Sequence, residues 1–200
     1  MRWDNLFDDL EGQLEQGLTS DEFDLRAEEE RLRLSRLSLR DRLVTLSERA
    51  EPGPMRTVRM LLRDGSRIVV TPDSFGRDWF AGELHGDGTV VPQCVVPLEA
   101  IAGLLLSRIQ VEVSLDPSRP TDVSPPLSAR LGLGFVLRDL CRRRLAVDLR
   151  LEAGQVHGTL DRVGRDHFDV AVHEPGQFRR ESNVTEYRVV PLRHLLLVSI

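Results

Sequence analysis

Three consecutive arginines, Arg142, Arg143 and Arg144, are the residues of this chain best suited to bind an anion, and they end a predicted helix. A guanidinium group is planar, donates paired hydrogen bonds to phosphate oxygens and stacks on bases, so this run predicts a nucleic-acid contact. The alternative is a solvated helix C-terminus, where the helix dipole favours positive charge in any case. Residues 127–200 carry 12 arginines against 9 acidic residues, which makes this third of the chain the better place for an anionic partner.

Catalytic and metal-binding chemistry has little support in the sequence. The five histidines lack the spacing of a metal motif such as His-Glu-x-x-His, and no phosphate-cradling glycine loop or nucleophile elbow is present. The two cysteines, Cys94 and Cys141, are too few for a disulfide framework or a four-ligand zinc site. We therefore predict a non-enzymatic protein without metal or cofactor, located in the cytoplasm with its cysteines reduced.

Length and composition limit the classes of protein further. The chain has 200 residues, 40% of them hydrophobic and 30% charged, which is typical of one globular domain or two small ones. The longest apolar run, residues 101–106, is far shorter than a membrane span requires, and the acidic opening does not read as a signal peptide. A net charge of −5 excludes a strongly basic nucleic-acid binder, so any such site must be local.

The first 50 residues predict a helical arm of two helices with a break near residues 17–20. The first helix carries an apolar stripe at three- and four-residue steps, formed by Trp3, Leu6, Phe7, Leu10 and Leu14. This stripe either inserts into a groove on a partner protein or folds back on the rest of the chain. The second helix, from Ser20 to Arg49, has an acidic block followed by a basic one, which favours self-association.

The remainder of the chain predicts two similar halves. Short strands fill residues 51–115, a proline-rich linker covers residues 116–126, and a helix with further strands occupies residues 127–200. Ser74–Phe80 matches Arg162–Phe168, and the sequence Val-Val-Pro-Leu occurs in both halves. We expect a mainly β fold with α-helices, in which a helix precedes each of two five-stranded, strongly bent barrels. Chance similarity between two all-β segments is the alternative.

Three short motifs of the second half occur in an informative order. Leu137–Arg144 ends a helix in a basic run, Gly154–Gly158 has the form Gly-x-x-x-Gly, and Asp166–Phe168 has the form Asp-x-Phe. Together they resemble the Sm-like family and, within it, the bacterial Hfq type. The resemblance covers Leu133–Val198 and, more faintly, Thr57–Leu106. It implies that both small barrels are Sm-like.

The resemblance also implies roles for individual residues. Arg142, Arg143 and Arg144 fall where Hfq-like proteins carry an arginine patch on the rim. Asp166 and Phe168 correspond to a turn whose aromatic ring can face the pore and stack on a base; the alternative is a structural turn with the phenylalanine in the core. Residues 190–192 read Val-Pro-Leu where the family has Tyr-Lys-His, so the residues of the family's principal RNA site are replaced.

Two functions follow as hypotheses. The first is a regulator that associates with nucleic acid, most of all single-stranded RNA, through the second barrel. The second is a protein–protein adaptor or scaffold that uses the stripe of the first helix. Sm-like units pair their edge strands into rings, so two units in one chain can pair with each other, and three chains can form a six-unit ring. Chains from actinobacteria with a similar opening often carry a Fis-type regulator label, but no helix-turn-helix is recognisable here.

Overall fold

A computed structural model of the chain describes residues 25–51, 53–86, 91–116 and 127–200. The chain divides into two compact units, residues 1–38 and residues 39–200. In the first unit, helix α1 covers the described residues 25–36, and its exposed face carries ion pairs between residues one turn apart, such as Glu30–Arg33 at 2.6 Å. The predicted continuous helix from Ser20 to Arg49 is interrupted at residues 37–38.

The second unit contains three helices and ten strands among the described residues. The helices are α2 (Leu39–Arg49), α3 (Arg108–Leu115) and α4 (Leu133–Arg143). The strands of the first half are β1 (Val58–Leu62), β2 (Arg67–Phe75), β3 (Trp79–His85), β4 (Gln93–Pro97) and β5 (Ile101–Leu105). The strands of the second half are β6 (Ala146–Leu151), β7 (Gly154–Val163), β8 (His167–Val172), β9 (Glu186–Pro191) and β10 (Leu195–Ser199).

All ten strands belong to one open antiparallel sheet, in the order β5-β1-β2-β3-β4-β10-β6-β7-β8-β9. The expectation of two separate Sm-like barrels, and with it the picture of tandem barrels, is therefore wrong. Strand β4 pairs with β10 of the other half, with Val95 opposite Val198 and Cys94 opposite Ser199. Because the last strand of one half joins the other half, neither half closes on itself, and the sheet keeps open edges at β5 and β9.

The hydrophobic core also extends across the boundary between the two halves. Each half has its own cluster of buried residues, but Trp79 of the first half belongs to the second cluster, and Leu196 and Leu197 of β10 belong to the first. The run Leu195–Val198 is almost completely buried, as expected for a central strand covered on both faces. The halves are therefore held together by a shared sheet and by exchanged core residues.

The β2–β3 and β7–β8 turns, which the sequence matched, have the same local structure. Gly76 N–H donates to Trp79 O and Gly164 N–H to His167 O, both at 2.8 Å. A Cβ atom at Gly76 would lie 2.1 Å from the Trp79 ring, so glycine is required there for the aromatic ring to pack against the backbone. The resulting tight turns project Arg77 and Arg165 outwards.

Helices α2 and α4 cover the two clusters. Leu43 and Leu46 of α2 are fully buried in the first cluster, so this part of the predicted arm of residues 1–50 is core. Leu133, Leu137 and Leu140 recur at helical spacing on α4 and are buried in the second cluster. The remaining faces of α4 are left to solvent, and they carry its arginines. The predicted linker lies outside the described residues, apart from Asp116.

Candidate nucleic-acid interface

Arg142, Arg143 and Arg144, here called the helix-end arginines, lie at the exposed end of α4, and each has a carboxylate partner. Arg142 Nη2 lies 2.6 Å from one Asp139 oxygen, and Arg143 Nε lies 2.7 Å from the other. Arg144 Nη1 lies 2.9 Å from Asp161. The hydrogen bond from Arg142 holds the pKa of Asp139 below its usual value, so the pair stays charged at neutral pH.

Asp161 links this end of the helix to the loop after β8. It accepts hydrogen bonds from Arg179 at 2.6 and 3.1 Å as well as from Arg144, and its side chain is only 16% exposed. The Arg179 hydrogen bond is the main reason that the pKa of Asp161 is lowered. Phe178, 81% exposed, lies beside these charges in the same shallow pocket. The cluster therefore has arginines and an exposed ring, but each of these arginines is already ion-paired with a carboxylate.

Asp166 and Phe168 of the β7–β8 turn, which were candidates for nucleic-acid binding, lie in different environments. Phe168 is fully buried in the second core cluster, so its ring offers no exposed face to a base. Asp166 is exposed and lies 2.8 Å from His167 Nδ1. The turn is structural, because the Asp166 carbonyl accepts from Leu192 N–H just as the Asp78 carbonyl accepts from Leu98 N–H. The apolar stripe Trp3, Leu6, Phe7, Leu10 and Leu14 lies outside the described residues.

A different arginine cluster forms where α4 begins, at the joint between the halves. Leu131 O accepts hydrogen bonds from Arg77 N–H at 2.9 Å and from Trp79 Nε1–H at 3.0 Å. Asp78 Oδ1 accepts from Leu133 N–H at 2.7 Å and so caps the helix. These three bonds fix the start of α4 against the β2–β3 turn of the other half.

The space left between these segments is an open groove of about 1100 Å³. It is lined by the β2–β3 turn, the segment after β4, residues 130–138 and the β7–β8 turn. Four arginines line it, and so does Phe135, whose side chain is 50% exposed. The arginines are Arg77, Arg130, Arg138 and Arg165. Small residues at Gly132 and Gly134 leave room for the guanidinium groups, since a Cβ at Gly132 would lie 2.7 Å from Arg77 Nη2.

Most of the arginines of this groove form no ion pair. Arg130, Arg138 and Arg165, here called the groove arginines, form no ion pair with any residue that the structure describes. Arg77 lies 3.5 Å from Asp78, and one oxygen of that carboxylate is already bonded to the helix N-terminus. Against four arginines the lining contains two carboxylates, Asp78 and Glu99. A third, Asp166, follows Arg165 in the chain, and its pKa is lowered by the His167 hydrogen bond and, to a smaller extent, by the charge of Arg165.

Nothing in the described part of the chain indicates a metal site or a reactive thiol. No group of three or more metal-ligating side chains is found within residues 25–51, 53–86, 91–116 and 127–200. Cys94 and Cys141 are free, and burial raises the pKa of the Cys94 thiol to about 12, so it is not activated. Within the same residues, no helix combines the length and hydropathy needed to cross a membrane.

Sequence reasoning missed the groove for a specific reason. Arg130 and Arg138 flank the start of α4, but Arg165 lies in the β7–β8 turn and Arg77 in the β2–β3 turn of the other half, and the sequence does not show that these two turns meet the start of α4. The compensation of the helix-end arginines did leave a signal, because Asp139 stands three and four residues before Arg142 and Arg143.

Comparison of the chain with family models, with curated proteins and with solved structures gives no match. Nothing in these comparisons identifies an Sm-like or a Fis-type protein, so the functional argument depends on the geometry of the groove.

Proposed function

We propose that the protein binds single-stranded nucleic acid, RNA in the first place, in the groove at the start of α4, and that it acts without catalysis. The observation that carries the proposal is the meeting of three arginines that form no ion pair and the exposed Phe135 in one open groove. Guanidinium groups bind phosphates, and an exposed aromatic ring stacks on an unpaired base. A groove open to solvent fits a strand that runs through it better than a small enclosed ligand.

The proposed contact lies at the start of α4, whereas the sequence-based hypothesis placed it at the end of that helix. The helix-end arginines are engaged with Asp139 and Asp161, so a phosphate must compete with a carboxylate at each of them. The groove arginines form no ion pair with any described residue. A cytoplasmic location is part of the proposal, and the two free cysteines support it.

The test is fluorescence anisotropy of the full-length protein with a labelled single-stranded RNA of mixed sequence. The titration is run at about 50 mM and about 200 mM salt, because displacement of counterions makes phosphate binding fall with salt. The same strand annealed to its complement serves as the control, since its bases are already stacked. We expect binding at low salt that weakens strongly at high salt, and weaker binding of the duplex.

Two results would contradict the proposal. One is the absence of binding at low salt, which would turn attention to the adaptor hypothesis and to the stripe of residues 3–14. The other is binding that salt does not weaken, because a site built from guanidinium groups cannot be insensitive to ionic strength.

A further inference from the structure

The groove at the start of α4 contains a carboxylate that phosphate binding does not explain. Glu99 lies in the short 3-10 turn after β4, and its exposed side chain lines the groove together with the four arginines. It also lines the smaller pocket next to the groove, beside Asp166 and His167. A carboxylate repels phosphate groups, so this side chain lowers the affinity of the groove for the backbone of any nucleic acid.

The neighbouring carboxylates have partners within the protein, whereas Glu99 has none among the described residues. Asp78 Oδ1 accepts a hydrogen bond from Leu133 N–H at 2.7 Å, and Arg77 Nη2 lies 3.5 Å from Asp78 Oδ2. Asp166 Oδ1 lies 2.8 Å from His167 Nδ1. The Glu99 side chain forms no hydrogen bond and no ion pair with any residue that the structure describes. Both of its oxygens are therefore available to a ligand.

The local fold does not require an acidic residue at this position. Glu99 and Arg193 occupy the middle of two equivalent 3-10 turns, Leu98–Ala100 and Leu192–His194. The prolines before these turns have the same backbone angles, φ −62° and ψ 135°. One backbone hydrogen bond, of 2.9 or 2.8 Å, ties each 3-10 turn to the tight turn before it. Both central side chains are exposed, so the fold accepts either charge there.

The chemistry of a carboxylate limits what Glu99 can contact on a bound strand. Its oxygens accept hydrogen bonds and donate none, so the partner must be a donor. The ribose 2′-hydroxyl is a donor that every nucleotide of RNA carries and DNA lacks. The donors of the bases differ from one base to the next, whereas guanidinium groups and an aromatic ring such as that of Phe135 select no particular base. A contact to the sugar therefore fits this groove better than a contact to a base.

We propose that Glu99 accepts a hydrogen bond from a ribose 2′-hydroxyl of the bound strand and thereby makes the groove selective for RNA over single-stranded DNA. This inference rests on the proposed function and adds to it the residue that distinguishes the two nucleic acids. With RNA, the hydrogen bond offsets the repulsion between Glu99 and the phosphates. With DNA the repulsion remains without the hydrogen bond, so one residue favours the first ligand and disfavours the second.

The experiment compares two labelled single strands of the same mixed sequence. One strand contains ribose, and the other contains deoxyribose with uracil in place of thymine, so the strands differ only in their 2′-hydroxyl groups. Fluorescence anisotropy gives the Kd of each strand for the full-length wild type and for Glu99→Ala. We expect the wild type to bind RNA about tenfold more tightly than DNA, the usual effect of one hydrogen bond to a charged group. In Glu99→Ala, RNA affinity should fall and DNA affinity should rise, so the preference disappears.

Arg193→Ala is the matched control, because it changes the exposed residue at the equivalent position of the other half. Arg193 lines the smaller pocket that shares Glu99 with the groove, so its loss removes a positive charge near the strand. RNA and DNA should then bind more weakly by the same factor. The ratio of the two affinities is the decisive quantity, since a purely electrostatic effect on the phosphates changes both affinities alike and leaves their ratio unchanged.

Three outcomes would overturn the proposal. If the wild type binds both strands equally, the groove does not recognise the sugar, although the proposed function stands. If Glu99→Ala weakens the binding of RNA and DNA by the same factor, the carboxylate contacts a base. If neither strand binds at low salt, the proposed function is wrong and this inference is lost with it.

Discussion

The two arginine clusters of α4 contain similar groups but differ in what faces them. Of the helix-end arginines, Arg144 lines the same pocket as the exposed Phe178, and the groove arginines line the same groove as the exposed Phe135. At the helix end, Asp139 and Asp161 form ion pairs with the guanidinium groups, whereas the groove arginines form no ion pair with any described residue. The number of arginines is therefore a poor guide to anion binding, and the position of the carboxylates decides which cluster is available.

The structural cause of the difference is the role of each cluster in the fold. Asp161 connects the end of α4 to the β8–β9 loop through Arg144 and Arg179, so that cluster stabilises the second half. The start of α4 is fixed instead by backbone groups and by the Trp79 and Asp78 side chains of the other half. These contacts do not involve the guanidinium groups of the groove arginines.

The largest expected difference is between the two exposed phenylalanines. Phe135→Ala removes the ring that faces the groove, and we expect it to weaken RNA binding by about 1–3 kcal/mol, the usual cost of losing one stacked base. Phe178→Ala is the matched control, and we expect no more than a small change. Anisotropy titrations with the same single-stranded RNA measure both, and equal losses would contradict the assignment of the site to the groove.

A gain of binding is expected when the helix-end arginines lose their partners. Asp139→Asn together with Asp161→Asn removes both compensating charges and keeps the side-chain shapes. The freed arginines become available to phosphates, so RNA affinity should rise severalfold and its salt dependence should steepen. An unchanged affinity in a variant that retains its circular dichroism spectrum would show that carboxylate pairing does not distinguish the two clusters.

A smaller effect concerns stability and pH. The pKa of Asp161 is lowered in the folded protein, mainly by the hydrogen bond from Arg179, so its contribution to stability is present above about pH 4 and lost as the pH falls through the folded value. We expect Asp161→Asn to reduce the free energy of unfolding at neutral pH by about 1 kcal/mol. The difference from the wild type should shrink as urea titrations are moved towards pH 3. A difference that does not change with pH would mean that the charge of Asp161 does not contribute.

Local features of the fold were largely predictable from the sequence. The sequence predicted a helix that ends in the basic run of residues 142–144, and α4 ends there; the matched turns of the two halves have the same hydrogen bonds. A short strand near the end of the chain was expected and is present as β10, but its sequence did not indicate which strand would lie beside it.

The arrangement of the halves was not predictable, because similarity between two segments says nothing about how their edges pair. Each half could close on itself or offer its last strand to the other, and the local sequence is compatible with both. The pairing of Val95 with Val198 excludes closure within a half. The burial of Phe168 was likewise one of two alternatives that the Asp-x-Phe pattern left open.

The measurement that tests the account most directly compares two triple variants of equal charge change. One carries Arg130→Ala, Arg138→Ala and Arg165→Ala; the other carries Arg142→Ala, Arg143→Ala and Arg144→Ala. RNA affinity is measured over a range of salt concentration, after thermal unfolding has confirmed that both variants fold. A plot of the logarithm of the binding constant against the logarithm of the salt concentration has a negative slope. Loss of three phosphate contacts should reduce the magnitude of that slope by about 2 for the groove variant and by far less for the helix-end variant. Equal slopes, or a larger loss at the helix end, would contradict the central claim that the arginines without carboxylate partners form the binding site.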